Sequence, residues 1–232
     1  KGDSKVLSEH ESKTILTHYG IDVTREKLAK TEDEAVEAAR EIGYPVVLKI
    51  DSMDIMHKSD AGCVMMGLRD EGEIREAFKK VMENAKAYSG SARIDGVLVQ
   101  EMVTGGTEVM VGVSTDQYYG KTIVFGLGGV FVEVLEDVSL RILPIELPDA
   151  ESMIEEIKGR KVLSGIRGQK PRDIETLAET IRRIGDLAWD LRDRIMEMDV
   201  NPLVVFEEGK GVKALDALIV LGEGRRAKEA AN

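Results

Sequence analysis

Strands joined by tight turns in the second half of the sequence are the feature that most constrains the fold. Two such turns, at Asp116-Gln117 and at 207–211, connect four strand-like segments: 108–114, 121–125, 195–206 and 212–220. Turns this short join antiparallel strands, whereas a doubly wound sheet needs parallel strands with long crossovers. Helical patterns lie between the strands, as in the apolar repeat after Pro171. The sequence therefore predicts an α+β fold.

Breaks in these patterns indicate how the chain divides. The run Thr104-Gly105-Gly106 separates a small N-terminal lobe, about 20–103, from a larger lobe, about 104–222. A helix over 8–18, introduced by a capping box, could pack on the larger lobe, and 223–232 reads as a polar tail. A cleft between two lobes is a common place for a ligand.

Composition excludes several classes of protein. A formal net charge of −11 argues against nucleic-acid binding, which needs a basic face to neutralise phosphates. No apolar run approaches the roughly 20 residues of a membrane span, and no signal peptide opens the chain. The single cysteine, Cys63, can form neither an internal disulfide nor a cysteine metal cluster. The sequence indicates a cytoplasmic protein that binds neither nucleic acid nor membrane.

The last two strand segments bring three oxygen-bearing side chains together. A hairpin around Glu208-Gly209 places Asn201 opposite Asp216, or one residue away, and Asp199 on the same face as Asn201. Asp216 lies in an apolar run, where an unpaired carboxylate is costly. Oxygen ligands of this kind suit Mg²⁺. The alternative is a buried Asp–Asn hydrogen bond or a solvated strand face.

Phosphate binding has candidates elsewhere, each with a plain structural alternative. Lys49 lies on the polar face of an alternating strand, so it points either to solvent or into a cleft. Glycines at 126–129 let backbone N–H groups approach a phosphate, although a tight turn explains them as well. His57, in a polar loop, could accept a phosphoryl group on a neutral imidazole nitrogen or be a surface histidine.

Four runs taken together resemble one known family. They are Gly43-Tyr44-Pro45-Val46-Val47-Leu48-Lys49, His57-Lys58-Ser59-Asp60-Ala61-Gly62, Gly126-Leu127-Gly128-Gly129-Val130-Phe131-Val132-Glu133-Val134 and Asp199-Val200-Asn201-Pro202-Leu203. The resemblance is to the ATP-grasp (β) subunit of the ADP-forming (NDP-forming) acyl-CoA synthetases, relatives of succinyl-CoA synthetase. It runs from about Leu7 to Leu221 and implies that 1–232 is one ATP-grasp module, two lobes with a nucleotide bound between them.

The resemblance also implies a role for individual residues. Lys49 would bind a nucleotide phosphate, Glu101, Met102 and Val103 would hold adenine, and Glu108 would bind the ribose hydroxyls. Asn201 and Asp216, with Asp199 beside them, would coordinate Mg²⁺. His57 would accept the phosphoryl group. The remaining implied site residues shape the phosphoryl site: Gly128, Gly129, Glu133 and Arg141.

The implied reaction is acyl-CoA + ADP + phosphate = organic acid + ATP + CoA, with ADP/ATP and Mg²⁺ as cofactors. A CoA-binding α subunit would carry a first phosphorylatable histidine, in an α2β2 heterotetramer, because 232 residues leave no room for the CoA-binding domains. Cys63 departs from the glycine expected at its position. Two alternatives remain: an ATP-grasp carboxylate–amine ligase, which has no use for His57, and a catalytically silent nucleotide-binding subunit. The sequence does not decide the acyl group or the choice of ADP over GDP.

Overall fold

The computed structural model describes residues 5–55, 57–128, 137–165 and 170–222. They group into two compact units. The larger unit contains the described residues of Lys1–Leu7, Glu11–Val23 and Gly105–Asn232, and the smaller unit contains Ser8–His10 and Thr24–Thr104. Within the described residues, no helix is long and apolar enough to cross a membrane.

The smaller unit is an antiparallel sheet covered by helices. Its elements are β2 (Glu26–Ala29), α2 (Glu32–Ile42), β3 (Val46–Asp51), β4 (Val64–Leu68), α3 (Glu71–Tyr88) and β5 (Gly96–Glu101), with strand order β2-β5-β3-β4. Its helices begin at residues whose side chains accept a backbone N–H, as capping residues do. Thr31 accepts from Glu34 N at 3.2 Å, and Asp70 accepts from Glu73 N at 2.9 Å. Alanine, valine and isoleucine side chains of α2, α3 and β3 form its core.

The larger unit contains a larger antiparallel sheet and its own core. Its elements are β1 (Lys5–Val6), α1 (Glu9–His18, whose first two residues group with the smaller unit), β6 (Thr107–Asp116), β7 (Gly120–Leu127), β8 (Val138–Ile142), α4 (Leu147–Glu156), a 3₁₀ helix (Lys158–Val162), α5 (Ile174–Asp190), β9 (Ile195–Val205), β10 (Val212–Ala214) and β11 (Ala217–Leu221). The strand order is β1-β11-β9-β6-β7-β8, and β10 also pairs with β9.

The two faces of this sheet differ in character. Val111 and Ile123 are fully buried in a core with residues of α5, on what we call the helix face. Gly112 pairs with Asp199 and with Val124, so alternation places these residues on the other side, the outer face. The sheet therefore gives β9 an apolar side and a side that can carry a site.

One predicted strand was wrong in its extent. The segment 212–220 is divided into β10 and β11 by a bend at Leu215-Asp216. The bend keeps its backbone hydrogen bonds with β9, because Leu215 N donates to Pro202 O at 2.9 Å and Asn201 N donates to Asp216 O at 3.2 Å. A uniform apolar sequence conceals this interruption, since both halves have the same composition.

Candidate functional site

Asp199, Asn201 and Asp216 form a cluster in the larger unit. The pairs Ala217↔Val200 and Ala214↔Leu203 put Asp216 opposite Asn201, which confirms the predicted register. Between the pairs Val109↔Leu203 and Val111↔Val200, the two residues Asn201 and Pro202 oppose a single residue of β6. This is a β-bulge, a device that redirects a side chain and can accommodate proline within a sheet. Accordingly, Asn201 is exposed although β9 is central in the sheet.

The two carboxylates of this cluster, Asp199 and Asp216, repel each other, which disfavours the ionised form of Asp199. Burial and, to a smaller extent, the negative charge of Asp216 raise the pKa of Asp199, a side-chain hydrogen bond from Asn201 lowers it, and the net pKa is about 6. Two carboxylates and an amide oxygen in a partly buried site are a donor set that Mg²⁺ accepts, with phosphate and water completing its shell. The described residues contain no group of three or more His, Cys, Asp and Glu side chains that could hold a metal ion, so at this cluster the amide of Asn201 would have to join the two carboxylates as a ligand. The repulsion between Asp199 and Asp216 is the observation that fits a cation-binding site.

Because burial and this repulsion raise the pKa of Asp199, we expect the stability of the fold to depend on pH. The pKa of Asp199 in the fold, about 6, lies above its ordinary value of 3.8, so the folded state binds the proton more tightly than the unfolded state. Stability is therefore lost as the pH rises from about 4 to about 6. A pKa difference of this size corresponds to at most about 3 kcal/mol, and partial solvent exposure reduces it to about 1 kcal/mol. We expect Asp199→Asn to raise the melting temperature by about 2–4 °C at pH 8 without metal.

Near pH 4 the same substitution should change the melting temperature little, because Asp199 is then protonated in the fold. Thermal unfolding of both proteins at the two pH values, in the presence of a chelator, measures the difference. Asp193→Asn, an exposed aspartate of the same unit, is the matched control. An equal gain at both pH values would show that the effect does not come from the ionised carboxylate.

A backbone hydrogen bond joins Glu108 and Gly128. Gly128 N donates to Glu108 O at 2.8 Å. A Cβ atom at position 128 would lie 3.0 Å from the Glu108 carbonyl carbon, so only glycine allows this approach without a backbone shift. Glu108 is exposed and shares the outer face with Gly112, which pairs with Asp199. Ribose-binding and phosphate-binding candidates therefore lie on the same side of one sheet as the cluster around Asp199.

Lys49 lies in a half-buried position in the smaller unit. It is on β3 between Leu98 of β5 and Val64 of β4, and its ammonium group donates to Glu9 Oε1 at 3.1 Å. The Lys49 side chain is only 13% exposed and that of Glu9 only 1%. The alternative of a lysine pointing into solvent is therefore wrong. The second oxygen of the same carboxylate, Oε2, accepts a hydrogen bond from Lys58.

The segment 57–63 is a compact turn that carries His57. Its backbone bonds internally, with Ala61 N donating to His57 O at 3.1 Å and Cys63 N donating to Lys58 O at 2.8 Å. Asn84 Nδ2 holds Gly62 O at 2.6 Å, and Cys63 is fully buried beside α3. His57 itself is exposed. The imidazole of His57 is therefore accessible to solvent, while the backbone of the turn is held by hydrogen bonds.

Glu101 is held by another residue of the smaller unit. Its carboxylate accepts from Arg25 N at 2.9 Å and from Arg25 Nε at 3.0 Å. Met102 N donates to Pro45 O at 3.3 Å. The carboxylate of Glu101 therefore anchors the end of β5, and any contact with a base from this stretch would come from the residues that follow it.

Comparison with known proteins identifies the fold that carries the cluster around Asp199 in the larger unit and the residues around Lys49 and His57 in the smaller unit. A family model described as an ATP-grasp domain matches residues 1–221. The chain belongs to the ATP-grasp family. Two relatives from Pyrococcus furiosus are the β subunits of the ADP-forming acetate–CoA ligases II and I. They are 46% identical over 215 and 221 residues, which cover 93% and 95% of this chain and 91% and 94% of theirs.

Other relatives of this ATP-grasp chain extend the comparison. The 4-hydroxybutyrate–CoA ligase of Nitrosopumilus maritimus is 46% identical over 93% of this chain, which spans only 31% of that protein. The acetyl-coenzyme A synthetase 1 of Ca. Korarchaeum cryptofilum, in complex with coenzyme A, Ca-AMPCP and HgCl⁺, matches with a TM-score of 0.90 and 47% identity over 94% of this chain and 93% of that one. A further structure of it, with coenzyme A and Mg-AMPPCP, has its phosphohistidine segment pointing towards the nucleotide binding site. It matches with a TM-score of 0.81 and 44% identity over 94% and 93% of the two chains. The predicted family and α+β ATP-grasp fold are confirmed.

Two of the predicted site residues of the ATP-grasp chain lie outside the described residues, Gly129 and Glu133. Arg141 is described, but it does not join the cluster around Asp199. It pairs with Ile123 on the helix face, where its guanidinium binds Glu156 and Ser152 of α4. Asp199 faces the other way, so the structure gives no support to Arg141 as a phosphoryl-site residue of this unit. The physical reason is the side-chain period of two, which the family motif does not reveal.

Proposed function

We propose that this chain is the nucleotide-binding subunit of an ADP-forming acyl-CoA synthetase and transfers a phosphoryl group from a phosphohistidine to ADP. The observation that carries the proposal is the exposed His57 on a turn whose next residue, Lys58, shares one buried carboxylate with Lys49. A carboxylate–amine ligase would need the lysine but not the histidine. The relatives described above, all CoA ligases or synthetases, support the same choice.

The chemistry asked of His57 is two successive displacements at phosphorus. In the first, a ring nitrogen of His57 attacks the phosphoryl group of a histidine on the partner, and one P–N bond forms as the other breaks. In the second, a terminal phosphate oxygen of ADP attacks, the P–N bond to His57 breaks and the new P–O bond completes ATP. His57 recovers its lone pair, so no oxidant or further reactant is needed.

The nucleotide half of the reaction requires positioning and charge neutralisation rather than new covalent chemistry. We assign Lys49 to the phosphates, the backbone at Met102 and Val103 to the base, and Glu108 and Gly128 to the ribose and the phosphate chain. Asp199, Asn201 and Asp216 would hold Mg²⁺, which when bound neutralises phosphate charge. The electrostatic strain at Asp199, whose pKa is raised to about 6, supports this assignment.

The relatives named as β subunits also support a partner. We propose a CoA-binding α subunit that carries the first phosphohistidine, in an α2β2 assembly. In the single-chain relative from Nitrosopumilus maritimus, this chain corresponds to 31% of the sequence, so the other steps have room on the remainder. Acyl recognition would then lie on the α subunit, with this chain indifferent to the acyl group.

Reconstitution tests the proposed function. The complex of this chain with the CoA-binding subunit that co-purifies with it should form ATP from acetyl-CoA, labelled phosphate and Mg-ADP, with the label in the γ position. The isolated chain should form none. Amine-dependent release of ADP by the isolated chain would identify a carboxylate–amine ligase instead. A complex that binds ADP but transfers no label would identify a silent subunit.

A further inference from the structure

The carboxylate of Glu9 is a buried charge-bearing group near the candidate phosphate site of the smaller unit. Its side chain is 1% exposed, and the side chains of its partners Lys49 and Lys58 are 13% and 12% exposed. Both oxygens are used, Oε1 by Lys49 and Oε2 by Lys58. Burial of a charged carboxylate is costly, and two ammonium partners offset much of that cost.

One carboxylate therefore fixes two lysines that have different positions in the chain. Lys49 is on β3, within the sheet, whereas Lys58 lies in the turn 57–63 next to His57. An ammonium group has three N–H donors, so a lysine that gives one to Glu9 keeps others for a phosphate. In protein kinases, similarly, an ion pair with a glutamate from a helix positions a strand lysine that binds the nucleotide phosphates.

Two contacts that tie the turn to neighbouring elements lie at its C-terminal end. Gly62 is held by Asn84, and Cys63 is buried and accepts from Ile50 N through its carbonyl at 3.0 Å. These contacts fix the turn where it enters β4. The pair Lys58–Glu9 lies one residue from His57, closer in sequence than the contacts at Gly62 and Cys63.

We propose that Glu9 is a positioning residue for phosphoryl transfer, which sets the ammonium group of Lys49 for the nucleotide phosphate and seats His57 through Lys58. The proposal rests on the function proposed above and adds a residue to it. Glu9 touches no reacting atom. Through its single carboxylate, Glu9 would link the position of Lys49, which binds a phosphate of the acceptor ADP, to the position of His57, which donates the phosphoryl group.

Glu9→Gln in the reconstituted complex tests the proposal. Glutamine has the same shape but no charge, and its amide nitrogen would face an ammonium group. We expect the rate of ATP formation per ADP-binding site to fall at least about tenfold, because misplacing a reacting group by about 1 Å can cost about a hundredfold. Glu9→Asp, which keeps the charge but shortens the reach, should lie between Glu9→Gln and the unaltered chain.

Counting active sites by calorimetric titration with Mg-ADP separates this result from loss of folded protein. The double variant Glu9→Gln/Lys58→Met removes one charge of each sign and protects against misfolding from two uncompensated lysines. Because Glu9 acts partly through Lys58, the two substitutions should be less than additive: Glu9→Gln should cost less in the Lys58→Met background than alone, and the cost that remains reflects Lys49. Glu41→Gln, which breaks the exposed pair with Lys27 in the same unit, should leave the rate unchanged.

A rate for Glu9→Gln within about twofold of the unaltered chain would overturn the proposal, as would full additivity with Lys58→Met. Lys49→Met distinguishes these outcomes from failure of the proposed function. If Lys49→Met weakens ADP binding while Glu9→Gln is silent, the proposed function stands and only the role of Glu9 falls. If Lys49→Met also leaves ADP binding unchanged, the phosphate-binding role of Lys49 falls, and that of Glu9 with it.

Discussion

The substitution His57→Asn should reduce ATP formation by the complex at least about a thousandfold, since asparagine has no nucleophilic nitrogen to hold a phosphoryl group. His57 is exposed and the fold does not depend on its packing, so assembly with the partner and binding of ADP should be retained. Phosphorylation of the partner's own histidine from acyl phosphate should also persist. The defect would be confined to the transfer that leads to ADP.

Labelled phosphate followed through the complex makes this measurement. In the unaltered complex, acid-labile and base-stable label should appear on both chains, and in the variant on the partner alone. His18→Asn is the matched control, because His18 is also exposed and its ring bonds to Thr14 O, one helical turn away, at 2.8 Å. Formation of ATP by His57→Asn at nearly the unaltered rate would mean that the partner transfers directly to ADP.

The second large effect concerns the metal. Asp216→Ala should weaken the Mg²⁺-dependent part of ADP binding at least about a hundredfold, because it removes one of two carboxylates from the proposed site. ADP would still meet Lys49, so weak metal-independent binding should survive. Calorimetric titration with ADP, with and without Mg²⁺, gives the two affinities directly.

Asp193→Ala, at an exposed position in the same unit, should leave both affinities unchanged. The substitution Asp216→Ala also removes a charge that raises the pKa of Asp199, and thermal unfolding of the variant at neutral pH measures the effect on stability. Loss of Mg²⁺ dependence with retained stability would therefore be specific to the site. Retention of the full dependence would place the ion elsewhere.

The cluster around Asp216 was accessible from sequence because a hairpin determines which residues oppose each other. The turn at 207–211 and the apolar run around Asp216 were enough to predict its partner Asn201. What the sequence did not reveal was the bend that interrupts the last strand. The apolar composition of β10 and β11 continues through it, and the bend lies opposite the bulge at Asn201-Pro202 in the neighbouring strand.

The surroundings of Lys49 could not be predicted in the same way. Alternation along β3 shows that the lysine is on the polar side of its strand but not what lies across from it. The partner, Glu9, is forty residues away in sequence, and in the sequence it is part of a capping box at the start of α1. No periodic pattern connects a helix N-terminus to a distant strand. Contacts of this kind depend on the tertiary structure.

Opposite outcomes follow for Asp199 and Gly128 if a lineage of such chains were to lose its activity. The charge on Asp199 destabilises the fold at neutral pH, so once the metal is no longer needed a neutral residue there is an improvement, and drift should replace it. Gly128 is required by its approach to Glu108 whether or not a nucleotide binds, so selection for folding alone would keep it. A glycine at 128 thus says little about turnover in a relative, whereas a retained aspartate at 199 is a sign that the chemistry is still under selection.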